Sequence, residues 1–545
     1  MTAAGAWTIG LAVIYTVALV VVGRIVLSRR HADGSASGFF VAGRNFSPLT
    51  VAFCITGLFS GSSFIAIIEL SYRTGISAVW YGVAETVQVL LIAIVLVKPL
   101  REKLVVTVSG VIGERFGRVA LGVGGAITAF TFPMWSVATA IAFASALHTF
   151  TELSIYASII ATAVLLLVFL WTGGMRAVAF TQTMNCILFA AMVAVGMGAV
   201  LIKPGISGLS DLITDRPAMF DLFAAGPTLI VAWFGTFIVN VILAQAAFQM
   251  ALSCRTAKDG QKGLYLAALF GTPLILASIV LGTATAIVVP DQGRALVAVP
   301  IYIAEVLPAP LVGVFFLGVW ACALSWAGPC QFSGATSLGR DVGRAIRPNA
   351  SEADLIRYTR WALVLLTLLM IFYAFLRAED SAWWNVLAWT LRNGATLAPM
   401  LAVFFWPLAN RGAVILAMLA GFATGLGWYH AGDWSPQTFF LDLHPVWVGM
   451  SANLATLVVV TLLTARWQFT TNMQRQRTAM AFGGAVGALI ATVVLAGPML
   501  ERLGFGGLVL FVGVVLASGA AFLLTAPAAL AQNQKYTIQS RKLPS

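Results

Sequence analysis

Charged residues are scarce in this 545-residue chain, and so are the residue types that metal sites and catalytic centres require. Asp, Glu, Lys and Arg together make up 10% of the sequence, whereas soluble domains contain about 25%. The few cysteines and histidines have no spacing typical of zinc sites or disulfide frameworks, and there is no Ser/His/Asp set or phosphate loop. This composition excludes a soluble globular protein and argues against an enzyme. The cysteines and histidines are Cys54, Cys186, Cys254, Cys322, Cys330, His31, His148, His430 and His444.

Long apolar runs dominate the sequence instead. Hydrophobic residues make up 60% of the chain and the mean hydropathy is +0.93. The runs are about 20 residues long and do not alternate, so they predict membrane-spanning helices and not barrel strands. We expect an all-α polytopic membrane protein with about 15 spans, the first retained and not a signal peptide. The predicted spans are 5–27, 48–72, 76–100, 119–148, 153–173, 177–202, 226–253, 262–289, 310–338, 358–377, 383–407, 413–431, 446–466, 479–498 and 504–526.

The net charge of +12 is distributed in a way that indicates a membrane and not nucleic acid. The loops alternate, and 25 of the 32 Lys and Arg residues fall on one side of the predicted spans. By the positive-inside rule this side is cytoplasmic. We therefore expect a multi-pass protein of the inner or plasma membrane, in contact with its lipids, with the N-terminus outside and the C-terminus in the cytoplasm.

Spans two to six and seven to eleven form two groups of five. Because five is odd, the second group enters the membrane inverted. Each group opens with a helix interrupted by small or polar residues, "CITGLFSGSSF" in span two and "WFGTFIVNVILAQ" in span seven. Such helices at matching places predict a substrate site near the midplane; the alternative is that small residues only allow close helix packing. The predicted domains are 1–47, a transport core 48–407 (48–202 and 226–407), accessory helices 408–526 and a cytoplasmic tail 527–545.

An ordered set of motifs between residues 35 and 435 resembles the sodium:solute symporter family. The motifs include "FFVAGRNFSPLTVAFCITGLFSGSSFIAIIELSYRTG", "VTVSGVIGERFGR", "WTGGMRAVAFTQTMNCIL", "QMALSCRTAKDGQKG", "GATSLGRD" and "FFWPLANRGAVILAMLAGFATGLGWY". The resemblance implies the leucine-transporter fold, with five-plus-five inverted repeats. It also implies solute transport coupled to an ion, with Na⁺ as the candidate coupling ion and no other cofactor.

The stretch "CALSWAGPCQFSG", residues 322–334, carries the residues that the resemblance assigns to the cation. Backbone carbonyls fall at Thr56, Phe59 and Cys322, and a hydroxyl pair falls at Ser325 and Trp326. Trp326 departs from the family because an indole N–H only donates and cannot ligate a cation. Three outcomes follow: sodium binds with a shifted ligand set that uses Ser333, Thr336 or carbonyls near Pro329, a proton drives transport instead, or transport is uncoupled. In the structural alternative, Trp326 faces lipid or provides packing bulk, and the alignment is shifted by one residue.

Polar residues inside the other core spans are candidates for binding the solute. Glu85, with Gln88 one turn later, either contacts substrate, carries a proton or bonds a neighbouring helix. Arg392 and Asn393 lie in the tenth core helix, and an Arg fork suits a carboxylate; the alternative is an Arg392 that reaches the interface or pairs with an acidic residue, namely Glu379, Asp380 or Glu85. The remaining candidate substrate residues are Ser60, Asn240 and Gln245, and an aromatic wall at Trp135.

These expectations together predict a symporter that imports a small polar, carboxylate-bearing solute by alternating access, driven by a sodium or proton gradient. A transporter-like sensor that binds the solute, and a cation-independent facilitator, are the alternatives. The sequence does not identify the substrate or the oligomeric state.

Overall fold

A computed structural model describes residues 2–29, 35–102, 106–290, 292, 295–378, 381–435 and 439–528. Most of the predicted tail, and Glu379 and Asp380, lie outside the described residues. The α-helices are α1 Ala3–Arg29, α2 Ala36–Val41, α3 Pro48–Ser60, α4 Ile67–Thr74, α5 Val79–Leu91, α6 Val97–Glu102, α7 Val108–Phe116, α8 Arg118–Thr151, α9 Ile155–Ile202, α10 Gly205–Asp215, α11 Pro227–Asn240, α12 Gln245–Ala251, α13 Ala257–Val288, α14 Ala295–Val306, α15 Ala309–Thr336, α16 Gly343–Ile346, α17 Glu352–Leu376, α18 Ser381–Phe405, α19 Arg411–Ala431, α20 Pro445–Thr464, α21 Met473–Arg502 and α22 Gly506–Leu524.

Shorter elements connect or widen these helices. Two short strands, β1 Trp467–Phe469 and β2 Thr525–Pro527, pair antiparallel. The 3₁₀ turns are Ala42–Arg44, Gly75–Ala78, Pro217–Phe220 and Phe440–Asp442, and the π-helical turns are Gly61–Ala66, Ile92–Leu96 and Ser337–Val342.

Each of the fifteen predicted spans coincides with helix, so the all-α expectation is confirmed. By length and apolar composition, eleven helices in the described part of the chain are able to cross a membrane, or twelve if the bent pair α11–α12 counts as one span. The number is lower than fifteen partly because Pro48–Glu102 carries two predicted spans with little interruption, and because Ile155–Trp171 is a shorter apolar helix.

Local sequence signals set where the helices begin and turn. The Ser47 hydroxyl accepts a hydrogen bond from the Thr50 amide at 3.2 Å and Pro48 opens α3, as expected for an N-cap. Gly174 divides α9 into the two predicted spans, because its φ of 51° and ψ of −136° leave the helical region. A Cβ at Gly174 would lie 2.5 Å from the Phe39 carbonyl oxygen, so this bend requires glycine.

The chain forms two compact units, and the first comprises Met1–Thr107 and Thr128–Ala388. Within this unit α15 packs against α9, α1, α3 and α17. The apolar span that contains α15, Ala309–Ile346, is mostly buried. The stretch that the resemblance assigns to the cation, residues 322–334, therefore lies on the central helix of this unit.

The second unit comprises Val108–Ile127 and Trp389–Ser545. Its helices α19 and α20 pack closely, and α20 and α21 each contact α22. Helix α21 is almost entirely exposed, and Ala479 is its one buried residue among those described. This helix therefore lies at the periphery of the second unit.

Candidate solute and cation site

The first helix expected to be interrupted is widened and not unwound. Between α3 and α4 the chain makes a π-helical turn, Gly61–Ala66, and the flanking Ser60 (φ −59°, ψ −37°) and Ile67 (φ −69°, ψ −37°) stay in the helical region. The expected break in "CITGLFSGSSF" is thus corrected to one over-wide turn. Such turns occur often at functional sites.

The second interrupted helix does unwind, as the sequence predicts. Helix α11 ends at Asn240, α12 begins at Gln245, and the two are bent by 50°. The Asn240 carbonyl oxygen accepts from both the Leu243 and Ala244 amides, at 3.0 and 2.8 Å. This turn leaves the last carbonyls of one helix and the first amides of the next outside regular helical pairing.

Three of the predicted site residues line one cleft in the first unit. Thr56 and Phe59 from α3, and Glu85 from α5, line a small cleft against α13. Glu85 is only 2% exposed. Carboxyl groups this deeply buried in membrane segments are rare and often mark functional sites.

Gln88 lies one helical turn from Glu85 and is completely buried. Neither its Oε1 nor its Nε2 has a hydrogen-bond partner among the described residues, and the same holds for Thr56 Oγ1. A buried polar group without a partner destabilises a protein by about 1–3 kcal/mol. A ligand with hydrogen-bonding groups would relieve this cost.

Phe59, Cys322 and Trp326, three of the residues that the resemblance assigns to the cation site, lie close together where α15 approaches the widened turn. A Cβ placed on Gly61 would lie 3.1 Å from the Cys322 carbonyl oxygen and 2.7 Å from Trp326 Cβ. The Trp326 ring lies beside that of Phe59, with centroids 6.5 Å apart. Carbonyl and hydroxyl oxygens on this face suit a hard cation such as Na⁺, but Trp326 fills the second hydroxyl position with packing bulk.

The hydroxyls considered for a shifted ligand set already serve as donors. Ser333 Oγ donates to Gln249 Oε1 at 2.8 Å, and Thr336 Oγ1 donates to the Phe332 carbonyl at 2.8 Å. Helix α15 also continues through Pro329. A hydroxyl that donates keeps its lone pairs, so these bonds fix the directions of both side chains without removing them as ligands.

Buried amides tie the second break to α15. Gln245 Nε2 donates to the Ser333 carbonyl at 3.1 Å and to Ser337 Oγ at 2.9 Å. Gln249 Nε2 donates to the Phe40 carbonyl at 3.2 Å. Gln245 thus stabilises the bend, and Gln249 joins it to the segment before α3.

The segment before α3 is also held by an arginine. Arg44 Nη1 donates to the Leu252 carbonyl at 3.0 Å. Burial, and then the nearby charge of Arg101, lower the pKa of Arg44 to about 10. Arg44 still carries its charge at neutral pH. It therefore joins the segment before α3 to the end of α12 through a charge-assisted hydrogen bond.

Three other predicted residues take different positions. Ser60 donates to the Gly57 carbonyl at 2.7 Å, so its hydroxyl supports the helix. Trp135 is 3% exposed and packs edge-on to Phe132 at 5.1 Å. Asn240 ends α11 and is 8% exposed. Trp135 is not among the residues that line the cleft.

Arg392 and Asn393 belong to the second unit. Arg392 is 4% exposed, and its Nε and Nη2 lie 3.4 and 3.2 Å from Asn393 Oδ1, to which they donate. Asn393 is fully buried, and its Nδ2 has no partner among the described residues. A planar guanidinium suits the geometry of carboxylates in general.

Two buried amides near Ser325 were not among the predicted site residues. Gln182 and Asn185 lie in α9, and both donate to α15 around Ser325. Both residues stand in the quoted motif "WTGGMRAVAFTQTMNCIL". Two amides three positions apart in an apolar span are a signal that could have been used.

Comparison with known proteins identifies the family of the chain. A model described as the sodium:solute symporter family matches residues 39–421. The chain is 21% identical to the monocarboxylic acid transporter of Corynebacterium glutamicum, over 76% of this chain and 82% of that protein. It is 22% identical to the high-affinity choline transporter 1 of Caenorhabditis elegans, over 73% of this chain and 71% of that protein.

A solved structure shares the fold. It is the substrate-bound, outward-open state of a Na⁺-coupled sialic acid symporter, with a TM-score of 0.69 at 15% identity, over 84% of this chain and 98% of that one. The expected fold class, a leucine-transporter type of membrane protein with flanking helices, is confirmed. A multi-pass transporter with a small-molecule substrate follows from the family, and Na⁺ as coupling ion is consistent with it.

Proposed function

The chain belongs to the sodium:solute symporter family, and from this premise we propose that it imports a small, polar, carboxylate-bearing solute by secondary active transport. An inward gradient of sodium or protons drives the uptake through alternating access. The N-terminus faces outward and the C-terminus faces the cytoplasm, where most of the Lys and Arg residues then lie.

The observation that carries this proposal is the buried, unpartnered amide of Gln88. It lies one turn from Glu85, which lines the cleft with Thr56. Polar groups without partners in the middle of membrane helices are typical of a substrate path. We assign the solute's polar groups to Thr56, Glu85 and Gln88, and the freed backbone groups to the turn between Asn240 and Gln245.

The carboxylate assignment rests on Arg392. Its guanidinium is buried and donates to Asn393, whose amide nitrogen has no partner among the described residues. The relative from Corynebacterium glutamicum carries monocarboxylic acids by name, which supports an acid, whereas the choline relative shows that names alone do not decide the charge of the substrate.

Uptake into proteoliposomes tests the transport proposal. Labelled pyruvate and acetate, and a panel of amino acids, are offered with an inward Na⁺ gradient, with an inward proton gradient, and with neither. We expect accumulation above the outside concentration in at least one gradient arm. Binding of the solute without accumulation in any arm would favour a sensor, and equal uptake in all arms would favour a facilitator.

The Arg392→Ala variant tests the carboxylate. Removing one partner of a buried, charged hydrogen-bond pair costs about 2–5 kcal/mol, so we expect apparent affinity for the acid to fall at least about tenfold. Arg411→Ala is the matched control, since Arg411 is an exposed arginine in the same unit. Unchanged recognition of the acid by Arg392→Ala would remove the anionic group from the proposal.

A further inference from the structure

Gln182 and Asn185 are buried amides that the proposed solute site does not use. They are 1% and 0% exposed and lie three positions apart on α9, on the same face of the helix. Amide groups inside a membrane helix are stabilised only when they find hydrogen-bond partners. The hydrogen-bond partners of these two amides therefore indicate their role.

Both amides donate to the same short stretch of α15. Gln182 Nε2 donates to the Ser325 carbonyl at 2.7 Å. Asn185 Nδ2 donates to the Ala321 carbonyl at 3.2 Å and to Ser325 Oγ. The carbonyl and the hydroxyl of Ser325 are thus both held by α9.

The hydroxyl oxygen of Ser325 retains one lone pair that Asn185 does not engage. A serine oxygen has two lone pairs, and Asn185 engages one of them. The bond fixes the side-chain rotamer of Ser325, so the second lone pair has a defined direction. Ser325 is itself completely buried.

Asn185 also contacts a helix outside the two predicted repeats. The Tyr15 hydroxyl, on α1, donates to Asn185 Oδ1. The Nδ2 group faces α15 because the Ala321 carbonyl there can only accept a hydrogen bond. Turning the amide over would place Oδ1 against this carbonyl and lose that bond.

The side chain of Gln182 also packs against α3. Its Oε1 lies so close to Gly57 that a Cβ there would be 2.0 Å away. Gly57 therefore provides the space that the amide occupies. One amide contacts α1 and the other α3, and both donate to α15 at Ser325.

We propose that Gln182 and Asn185, the latter held by Tyr15, are positioning residues that aim Ser325 at the coupling cation. The inference rests on the proposed function. Trp326 contributes no oxygen, so Ser325 carries the one side-chain oxygen of the assigned cation ligands. A loss of its orientation should weaken cation binding more than solute binding.

The test is the Na⁺ dependence of Tyr15→Phe and Asn185→Leu, in uptake and in the thermal midpoint of the purified protein. Tyr15→Phe removes only a hydroxyl. A hydrogen bond contributes about 1 kcal/mol, so we expect the half-saturating Na⁺ concentration to rise about fivefold. The KM for the solute at saturating Na⁺ should stay unchanged, which a general loss of structure would not produce.

The matched control is Thr162→Val. Thr162 on α9 accepts a hydrogen bond from Trp320 Nε1 on α15 at 3.2 Å. The variant removes a bond between the same two helices without touching Ser325. We expect its half-saturating Na⁺ concentration to equal that of the wild type.

The outcomes separate this inference from the proposed function. Gradient-driven uptake with the same Na⁺ dependence in the wild type and both variants would overturn the positioning role and leave the transport proposal standing. Stabilisation by Na⁺ that is weakened in the variants, without uptake by the wild type, would support the positioning role and overturn transport. A wild type whose stability and uptake both ignore Na⁺ would overturn the positioning role.

Discussion

The two helices of the first unit that the sequence predicts to be interrupted depart from regular α-helix in different ways. The first, α3–α4, carries a run of Gly and Ser, yet it stays helical and widens by one π turn at Gly61–Ala66. The second, α11–α12, has neither Gly nor Pro between Asn240 and Gln245, yet it unwinds and bends by 50°. Small residues therefore do not mark the unwound turn here.

What the small residues provide is space for neighbours. Gly57 accommodates the amide of Gln182, and Gly61 accommodates Trp326 of α15. The unwound turn is flanked instead by amide side chains, of which Gln245 bonds to α15. In these two helices the glycines therefore allow close packing of neighbouring side chains, whereas amide side chains flank the turn whose backbone is unwound.

Among the variants that test the packing role of glycine, Gly57→Ala should have the largest effect. The new Cβ would displace Gln182 from Ser325, so overpacking and an unsatisfied amide should together lower the free energy of unfolding by about 2–4 kcal/mol. The thermal midpoint in detergent measures this. Gln182→Ala in the same chain should restore part of the loss, and Gly198→Ala, with no atom within 4 Å of its Cβ, is the control. A Gly57→Ala protein as stable as the wild type would refute the packing role.

The second break can be weakened through Gln245→Leu. The substitution removes the donors to the Ser333 carbonyl and to Ser337, and should destabilise the protein by about 1–3 kcal/mol and reduce uptake. Gln261→Leu removes a comparable amide-to-carbonyl bond, to Ala93 at 3.0 Å, away from the break. Equal losses of uptake in the two variants would mean that Gln245 has no special role at the bend.

The smallest effect is expected at Ser60→Ala, which sharpens the account of the first helix. Its hydroxyl donates to the Gly57 carbonyl, and loss of this single bond should cost about 0.5–1.5 kcal/mol. Ser278→Ala, which removes a bond to the Leu274 carbonyl at 2.7 Å, should behave alike in thermal unfolding. A much larger effect at Ser60 alone would assign its hydroxyl to the binding of ligand, as the sequence first indicated.

Local patterns and non-local packing account for what the sequence could and could not predict. Apolar runs are local signals, so every predicted span is helical in the structure, and the amides at Asn240 and Gln245 correctly flank the bend. The form of the first turn depends on Trp326, which is more than 260 positions away in the chain, and no local rule reports that contact. The roles of Gln182 and Asn185 depend in the same way on Ser325.

Hydrogen exchange of backbone amides, measured with and without the solute that the uptake assay identifies, tests the central claim most directly. The claim is that the solute binds beside two interrupted helices, of which only the second is unwound. We expect peptides covering residues 237–247 to exchange faster than those covering 57–66, and to be protected by the solute together with Na⁺. Fast exchange at 57–66, slow exchange at 237–247 and no protection by the solute would contradict it.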